Sequence, residues 1–249
     1  MPTYRADAIV LRRLDYGEAD RIVTLLTREH GKLAAIAKGA RRGKSKVSAS
    51  LDLFARSTIM LARGRNLDVV AQVERNGDAR HIAGDLHRTA YACLVAEIVD
   101  KVLEDRHPVD EVFELVVATL TALNASARSP RADSAWFLMR MLEVLGYQPQ
   151  LQECASCGSE LPKASAWFSA LLGGLLCERC SSHQQAGSMV SVNALKVLRL
   201  MAAGQAELYD RLRLTPEILR EIEQVLEAQL EYHLDRRLKS LEFIRSIGA

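Results

Sequence analysis

Short apolar runs and alternations fill the first seventy-odd residues. Arg5–Leu14 carries the run Ala8-Ile9-Val10-Leu11, and Arg21–Thr27 is rich in Ile, Val, Thr and Leu. Glu29-His30-Gly31 supplies a turn with a permissive glycine, so Lys32–Ala37 can return as the second arm of a hairpin. Phe54–Ala62 alternates, with Ala55, Ser57, Ile59 and Leu61 on one face. Arg63-Gly64-Arg65-Asn66 turns the chain into Leu67–Glu74, where Val69, Ala71 and Val73 share a face. Five short strands in this span predict a small closed or partly closed barrel, with an SH3-like barrel as the chief rival in the same pattern. Between the third and fourth strands the apolar pattern stops, and Lys38–Ser50 reads as a loop.

From about Asp85 the period becomes helical. Tyr91, Leu94, Val95, Ile98 and Val102 form one stripe, and His107-Pro108 is expected to break that helix. Val112, Phe113, Val116, Val117, Leu120 and Leu123 form a second stripe. Trp136, Phe137, Met141, Leu142 and Leu145 form a third, closed by Gly146 and Pro149. Ser191 can cap a helix running to about Ala203. Thr215-Pro216-Glu217 is a strong start for a last helix towards Arg236, with a cap, a proline at the first helical position and an acid in the first turn. The predicted class is therefore an α+β multidomain protein. Residues 1–80 are expected to form a barrel domain, and residues 81–249 a helical domain.

The 249 residues are 49% hydrophobic and 26% charged, a balance that allows a sizeable core. No run approaches the roughly 20 apolar residues of a membrane helix, and the opening lacks the charged-then-apolar layout of a secretion signal. Those features place the chain in the cytoplasm with no membrane partner. The net charge of +2 hides a division. Residues 1–80 hold 16 Lys and Arg against 9 Asp and Glu, a net of +7, and the remaining 169 residues hold 17 against 22. A basic front suits a polyanion.

Four of the five cysteines form two close pairs, Cys154-x2-Cys157 and Cys177-x2-Cys180. Each pair can sit on a tight knuckle, with Gly158 and Gly173-Gly174 supplying turns, in a module at about residues 150–185. Four thiolates satisfy tetrahedral zinc and leave no open position, so the expected cofactor is one structural Zn²⁺ per chain. Free thiols, a redox pair, an iron–sulfur cluster or cysteines that have lost their metal are the other readings, and His183 could stand in for a ligand. Cys93, on an apolar stripe, reads as core.

Lys38, Arg41, Arg42, Lys44 and Lys46 crowd into nine residues with no acid among them. They are the expected contacts to nucleic-acid phosphates, with Arg12, Arg13, Arg63 and Arg65 extending the track. The bland alternative is a solvated loop. Gly39-Ala-Arg-Arg-Gly43-Lys44-Ser45 imitates a phosphate-binding P-loop, but its spacing is one residue short and a strand follows where a helix is required. No catalytic motif stands out, so the expectation is a protein without catalytic residues. Of the aromatics in the barrel segment, Tyr4, Tyr16 and Phe54, any could stack on a base, Phe54 being the best candidate for core.

Together these residues resemble the bacterial RecO recombination mediators over nearly the whole chain. The similar stretches are Tyr16-Gly17-Glu18-Ala19-Asp20-Arg21-Ile22-Val23, Ala37-Lys38-Gly39-Ala40-Arg41-Arg42 with Leu51-Asp52-Leu53-Phe54, Leu145-Gly146-Tyr147-Gln148-Pro149 before the first cysteine pair, Gly173-Gly174-Leu175-Leu176-Cys177 leading into the second, and His233-Leu234-Asp235-Arg236-Arg237-Leu238-Lys239-Ser240. The resemblance implies an N-terminal OB-fold, a helical domain and a zinc-finger-like insertion. It also implies binding of single- and double-stranded DNA, annealing of complementary strands, and help in loading RecA onto DNA coated by single-strand-binding protein (SSB). The implied partners are RecR and the C-terminal tail of SSB, met at the nucleoid. A protein-interaction adaptor with an incidental basic loop is the alternative.

Overall fold

The structure is a computed structural model that describes residues 2–42, 51–125 and 128–248. Five strands, β1 (Thr3–Tyr16), β2 (Asp20–Thr27), β3 (Gly31–Ala37), β4 (Arg56–Ala62) and β5 (Asp68–Arg75), close into a barrel in the order β1-β2-β3-β5-β4. Every neighbouring pair is antiparallel except β3 and β5, which run parallel over Ala35↔Asp68 and Ile36↔Val69. That parallel closure is the OB arrangement rather than the SH3-like one. Alanines make the narrow bore possible: Ala6, Ala8, Ala35 and Ala37 point inward among Val10, Val23, Leu25 and Leu61, all buried.

Two irregularities re-aim side chains. The β1–β2 register slips between Val10 and Arg12, leaving Leu11 as the extra residue. The β4–β5 register slips between Met60 and Leu61, where Met60 faces Gln72 and Leu61 faces Val70. Ala71 is then the odd residue of a bulge and is exposed. The simple alternation of Val69, Ala71 and Val73 fails for this reason: Val70 and Val73 serve the core, and Val69 turns outward.

Helices α1 (Arg80–Ala83), α2 (Leu86–Val102) and α3 (Asp110–Ala125) follow. Asp85 starts α2, its Oδ1 accepting the amide of Arg88 at 3.0 Å. The helix stops at Val102, ahead of the expected break at His107-Pro108, because the chain pairs with the barrel instead. The amide of Arg106 donates to the Lys32 carbonyl at 2.7 Å, and Lys32 and Asp105 form a parallel bridge. Lys32 is buried, and its Nζ donates to the Asp100 carbonyl at 2.5 Å while lying 3.3 and 3.4 Å from the Asp100 and Asp105 carboxylates. Cys93, expected in the core, is exposed: the buried side of α2 is set by Tyr91, Leu94, Val95 and Ile98, and position 93 falls beside it.

The remaining elements are α4 (Pro130–Val144), β6 (Ala166–Ser169), β7 (Gly174–Leu176), α5 (Glu178–Ser181), β8 (Ser188–Val190), α6 (Val192–Ala202), α7 (Ala206–Arg211), α8 (Pro216–Leu234) and α9 (Lys239–Ser246). The three short strands form a sheet in the order β7-β6-β8. Gly146 takes a left-handed φ of 77° and ends α4, with the Tyr147 amide donating back to Leu142 at 2.7 Å. Ser191 and Thr215 cap α6 and α8 through hydrogen bonds from Ala194 at 3.3 Å and Ile218 at 3.4 Å. The strand-to-helix change falls near Arg80, whereas the chain gathers into compact units of different extent, Met1–Pro130 with Leu238–Ala249, and Arg131–Arg237.

The first unit therefore includes α9, which packs on α2. Glu97 of α2 holds its start: the Lys239 and Ser240 amides donate to its carboxylate at 3.1 and 2.8 Å, and the Ser240 hydroxyl donates at 2.5 Å. Burial opposes the charge on Glu97, but these bonds and Lys101 overcome it and draw the carboxyl from 4.5 to about 2. A depressed carboxyl stabilises the fold above its unfolded value and loses that contribution as pH falls. Amide protection of residues 239–246 is therefore expected to be full above about pH 5 and to fade towards pH 2. Glu97→Gln should cost about 1–2 kcal/mol and expose the same amides at neutral pH, measured by hydrogen exchange. Gly31→Ala should cost more than about 2 kcal/mol in denaturant unfolding, because the backbone sits at a φ of 65° and a Cβ would lie 2.3 Å from the His107 carbonyl oxygen.

Candidate metal centre and nucleic-acid interface

The four cysteines converge: their sulfurs all lie within 4.8 Å of one another. The first knuckle is built from backbone bonds. The Gly158 amide donates to the Cys154 carbonyl and the Cys154 amide to the Ser159 carbonyl, each at 2.8 Å, and Gly158 turns the chain at a φ of 71°. The second pair starts as β7 ends. Cys177 precedes α5, and its carbonyl accepts from the Cys180 amide at 3.0 Å. The two knuckles are joined by the Ala155 amide donating to Leu175 at 2.8 Å and the Cys177 amide donating to Cys154 Sγ at 3.4 Å. Gly174 is needed there, since a Cβ would stand 2.5 Å from the Gln150 carbonyl oxygen.

The geometry fits a tetrahedral ion. Thiolates hold zinc at about 2.3 Å, which puts neighbouring sulfurs about 3.8 Å apart; Cys157 and Cys177 Sγ are 3.8 Å apart. The thiol chemistry also suits a cation. Hydrogen bonds from the Ser159 side chain and backbone draw Cys157 down to about 6, and the Cys180 amide lowers Cys177. Ser156 draws Cys180 down, but Cys177 and Cys157 outweigh it and push that thiol up to about 11. One thiolate thus opposes ionisation of another, and a divalent cation relieves that conflict while releasing protons. Arg179, beside the cluster, is held more firmly charged by Cys157; the spacing of the cysteines gave no sign of it.

On the barrel, Lys38, Arg41 and Arg42 are exposed on the turn that leaves β3. This turn is fastened to the β1–β2 connection. The Gly39 amide donates to Asp20 Oδ1 at 2.8 Å, the Arg41 amide to the Ala19 carbonyl at 2.9 Å, and Arg41 Nη1 to the Gly17 carbonyl at 3.0 Å. Asp15 sits between Arg21 and Arg41, 3.1 and 3.4 Å away. Because the amides of Gly39, Arg41 and Arg42 all donate within the protein, they are not free to cradle a phosphate; the rest of the P-loop-like stretch, Gly43-Lys44-Ser45, lies outside the described residues. Lys44 and Lys46 lie outside the described residues.

The other basic residues divide. Arg12 is exposed on β1. Arg13 is turned towards Asp52 and the Leu51 carbonyl, both 3.4 Å from its Nη1. Arg63 and Arg65 line a separate cleft with Glu29, His30, Asp68 and Arg106. Asp68 is its buried floor and accepts from Tyr4, from the Gly64 amide at 3.1 Å and from Arg106 at 2.9 Å. Burial and that bond push the Tyr4 hydroxyl up to about 12, so the ring is fixed by its own donor. Arg106 and His30 join this cleft only through the fold: each comes from a turn whose sequence carries no basic cluster.

Comparison with known proteins adds the ancestry. A family model described as recombination protein O N terminal matches residues 1–76, and one described as recombination protein O C terminal matches residues 83–242. A DNA repair protein RecO from a Roseiflexus species is 38% identical over 244 residues, covering 98% of this chain and 86% of that protein. One from Symbiobacterium thermophilum is 34% identical over 249 residues, covering 99% of this chain and 98% of that protein. Another from Bifidobacterium adolescentis is 36% identical over 247 residues, covering 98% of this chain and all of that protein. Both matched segments coincide with the barrel and the helical part described above, and the chain belongs to the RecO family of DNA repair proteins.

Proposed function

We propose that this protein is a recombination mediator without catalytic residues, acting at the bacterial nucleoid. It binds single- and double-stranded DNA, anneals complementary strands and, with RecR, helps load RecA onto SSB-coated DNA by engaging the SSB tail. The observation that carries this reading is the exposed Lys38–Arg42 turn, pinned to the β1–β2 connection so that its cations face solvent on a rigid support. Arg12, Arg63 and Arg65 lengthen the charged track, and Lys44 and Lys46 continue it in sequence. The cysteine cluster holds one structural Zn²⁺, whose role is to fold the module between the two knuckles. Four sulfur ligands leave no place for an activated water, which supports a structural ion.

The basic turn separates this reading from that of an adaptor with incidental charge. Changing Arg41, Arg42 and Lys44 together to alanine is expected to weaken single-strand binding and annealing while the melting curve stays within a degree or two. The log–log salt slope should flatten by about 2, at roughly 0.7 per lost phosphate contact. Unchanged affinity at moderate salt would favour the adaptor. The mediator step itself is tested by annealing on SSB-coated strands: removing the SSB tail should abolish the stimulation, and equal rates with and without the tail would exclude that partner.

Reduced, purified protein is expected to carry about one equivalent of zinc. Replacing Cys177 and Cys180 by serine should remove it and lower stability more than it alters DNA affinity, since a closed site contributes folding energy. A variant that loses annealing yet melts normally would show instead that the module touches DNA or a partner.

A further inference from the structure

The outer face of the barrel carries a row of aliphatic side chains. The register pairs Leu14 with Ile22, Ile22 with Ile36, and Ile36 with Val69, so four strands contribute one residue each to a continuous line. Across a sheet this line spans three strand spacings of about 4.8 Å, roughly 14 Å. The inward positions beside it, Val23, Ala35 and Val70, fill the core, which fixes the row on the outside. Leu14 is 52% exposed, and Tyr16, two residues further along the same face of β1, is 54% exposed. Ile22, Ile36 and Val69 are half-buried. A row of this kind is costly on a sheet face unless something covers it.

The surroundings of the row say what covers it. Arg12 stands on the same face, opposite Thr24, on one side of Leu14. Lys38 lies just past the end of β3 on the other, with Arg41 and Arg42 beyond. Among the described residues, Arg12, Lys38 and Arg42 have no carboxylate partner; of the nearby acids, Asp20 holds the Gly39 amide, Asp15 lies against Arg21 and Arg41, and Glu18 is exposed on the β1–β2 connection. Apolar side chains and one exposed ring between unpaired cations match a ligand with flat apolar faces strung on an anionic backbone. A duplex hides its base faces in the stack; a single strand offers them. Tyr4 and Phe54 are committed elsewhere, one to Asp68 and the other to the interior, which leaves Tyr16 as the barrel ring free to stack.

We infer that Leu14, Ile22, Ile36 and Val69, with Tyr16 at their edge, form a base platform through which the barrel distinguishes single-stranded from duplex DNA. This rests on the DNA-binding reading above and adds a division of labour to it. The cations take the phosphates of either form. The row and Tyr16 take the bases of one form only, without regard to sequence.

The test uses the full-length protein with labelled oligo(dT) and a labelled hairpin duplex, followed by anisotropy across a salt series. Tyr16→Ala is expected to weaken oligo(dT) binding about tenfold or more, the loss that follows from removing one stacked base. Tyr16→Phe should stay within about twofold of the parent because the ring remains. Duplex affinity and both salt slopes should not move. Leu14→Ser, at an equally exposed position, should weaken oligo(dT) selectively in the same sense. The proposal is overturned if Tyr16→Ala weakens both nucleic acids equally, if it changes neither, or if the variants abolish association with a protein partner while leaving oligo(dT) binding intact. Parent protein that binds neither probe would overturn the DNA-binding reading itself, and this proposal with it.

Discussion

One buried carboxylate sits where the barrel closes. Asp68 opens β5 at the short parallel seam with β3, only 1% exposed. It takes hydrogen bonds from Tyr4 at the start of β1, from the Gly64 amide in the β4–β5 turn and from Arg106 in the α2–α3 connection. A carboxylate in such a place is tolerable only when its oxygens are satisfied, and here burial is outweighed so that Asp68 stays ionised below the ordinary range. The same bonds tie the first strand, the last strand and the first helices together. Lys32 repeats the device from the other side of β3, reaching Asp100 and Asp105. The barrel and α1–α3 therefore share one set of constraints, and the basic turns of the barrel rest on it.

Much of this was legible in the chain, for identifiable reasons. Strands β1–β5 announce themselves because a closed barrel demands period-two patterning and turn glycines. Ser191 and Thr215 announce helices because a cap side chain meets an orphan amide locally. The cysteine spacing is legible because a tetrahedral ion needs two ligands per knuckle. These are short-range requirements. What the sequence concealed is long-range. The bulge at Ala71 depends on how β5 meets β4, so the outward turn of Val69 could not be read from alternation. Cys93 sits on an apolar stretch, yet the core side of α2 is chosen by what packs on it. The β6–β8 sheet and the closing helix α9 are short and acquire meaning only from partners distant in sequence.

The candidate sites show the same contrast. The cysteine cluster was evident because its chemistry and spacing coincide. The basic face of the barrel was evident as charge, but charge alone could not sort the arginines. Arg13 is spent on Asp52 and the Leu51 carbonyl, Arg41 is partly spent on Asp15 and Gly17, and Lys38 and Arg42 remain turned to solvent. The aliphatic row was invisible, since its four members lie on four strands and only register brings them into line. Apolar residues read as core until the structure shows which of them point the other way.

The return of α9 to the first unit bears on how the protein is made. During synthesis the barrel and α1–α3 emerge early, but Glu97 waits for Lys239 and Ser240, which leave the ribosome after more than a hundred further residues. Domains that are continuous in sequence can complete themselves as they appear. This one cannot: its last helix arrives only when the intervening unit has been produced. A nascent chain thus holds its barrel on an incompletely closed helical base, and loss of α9 would be felt at the beginning.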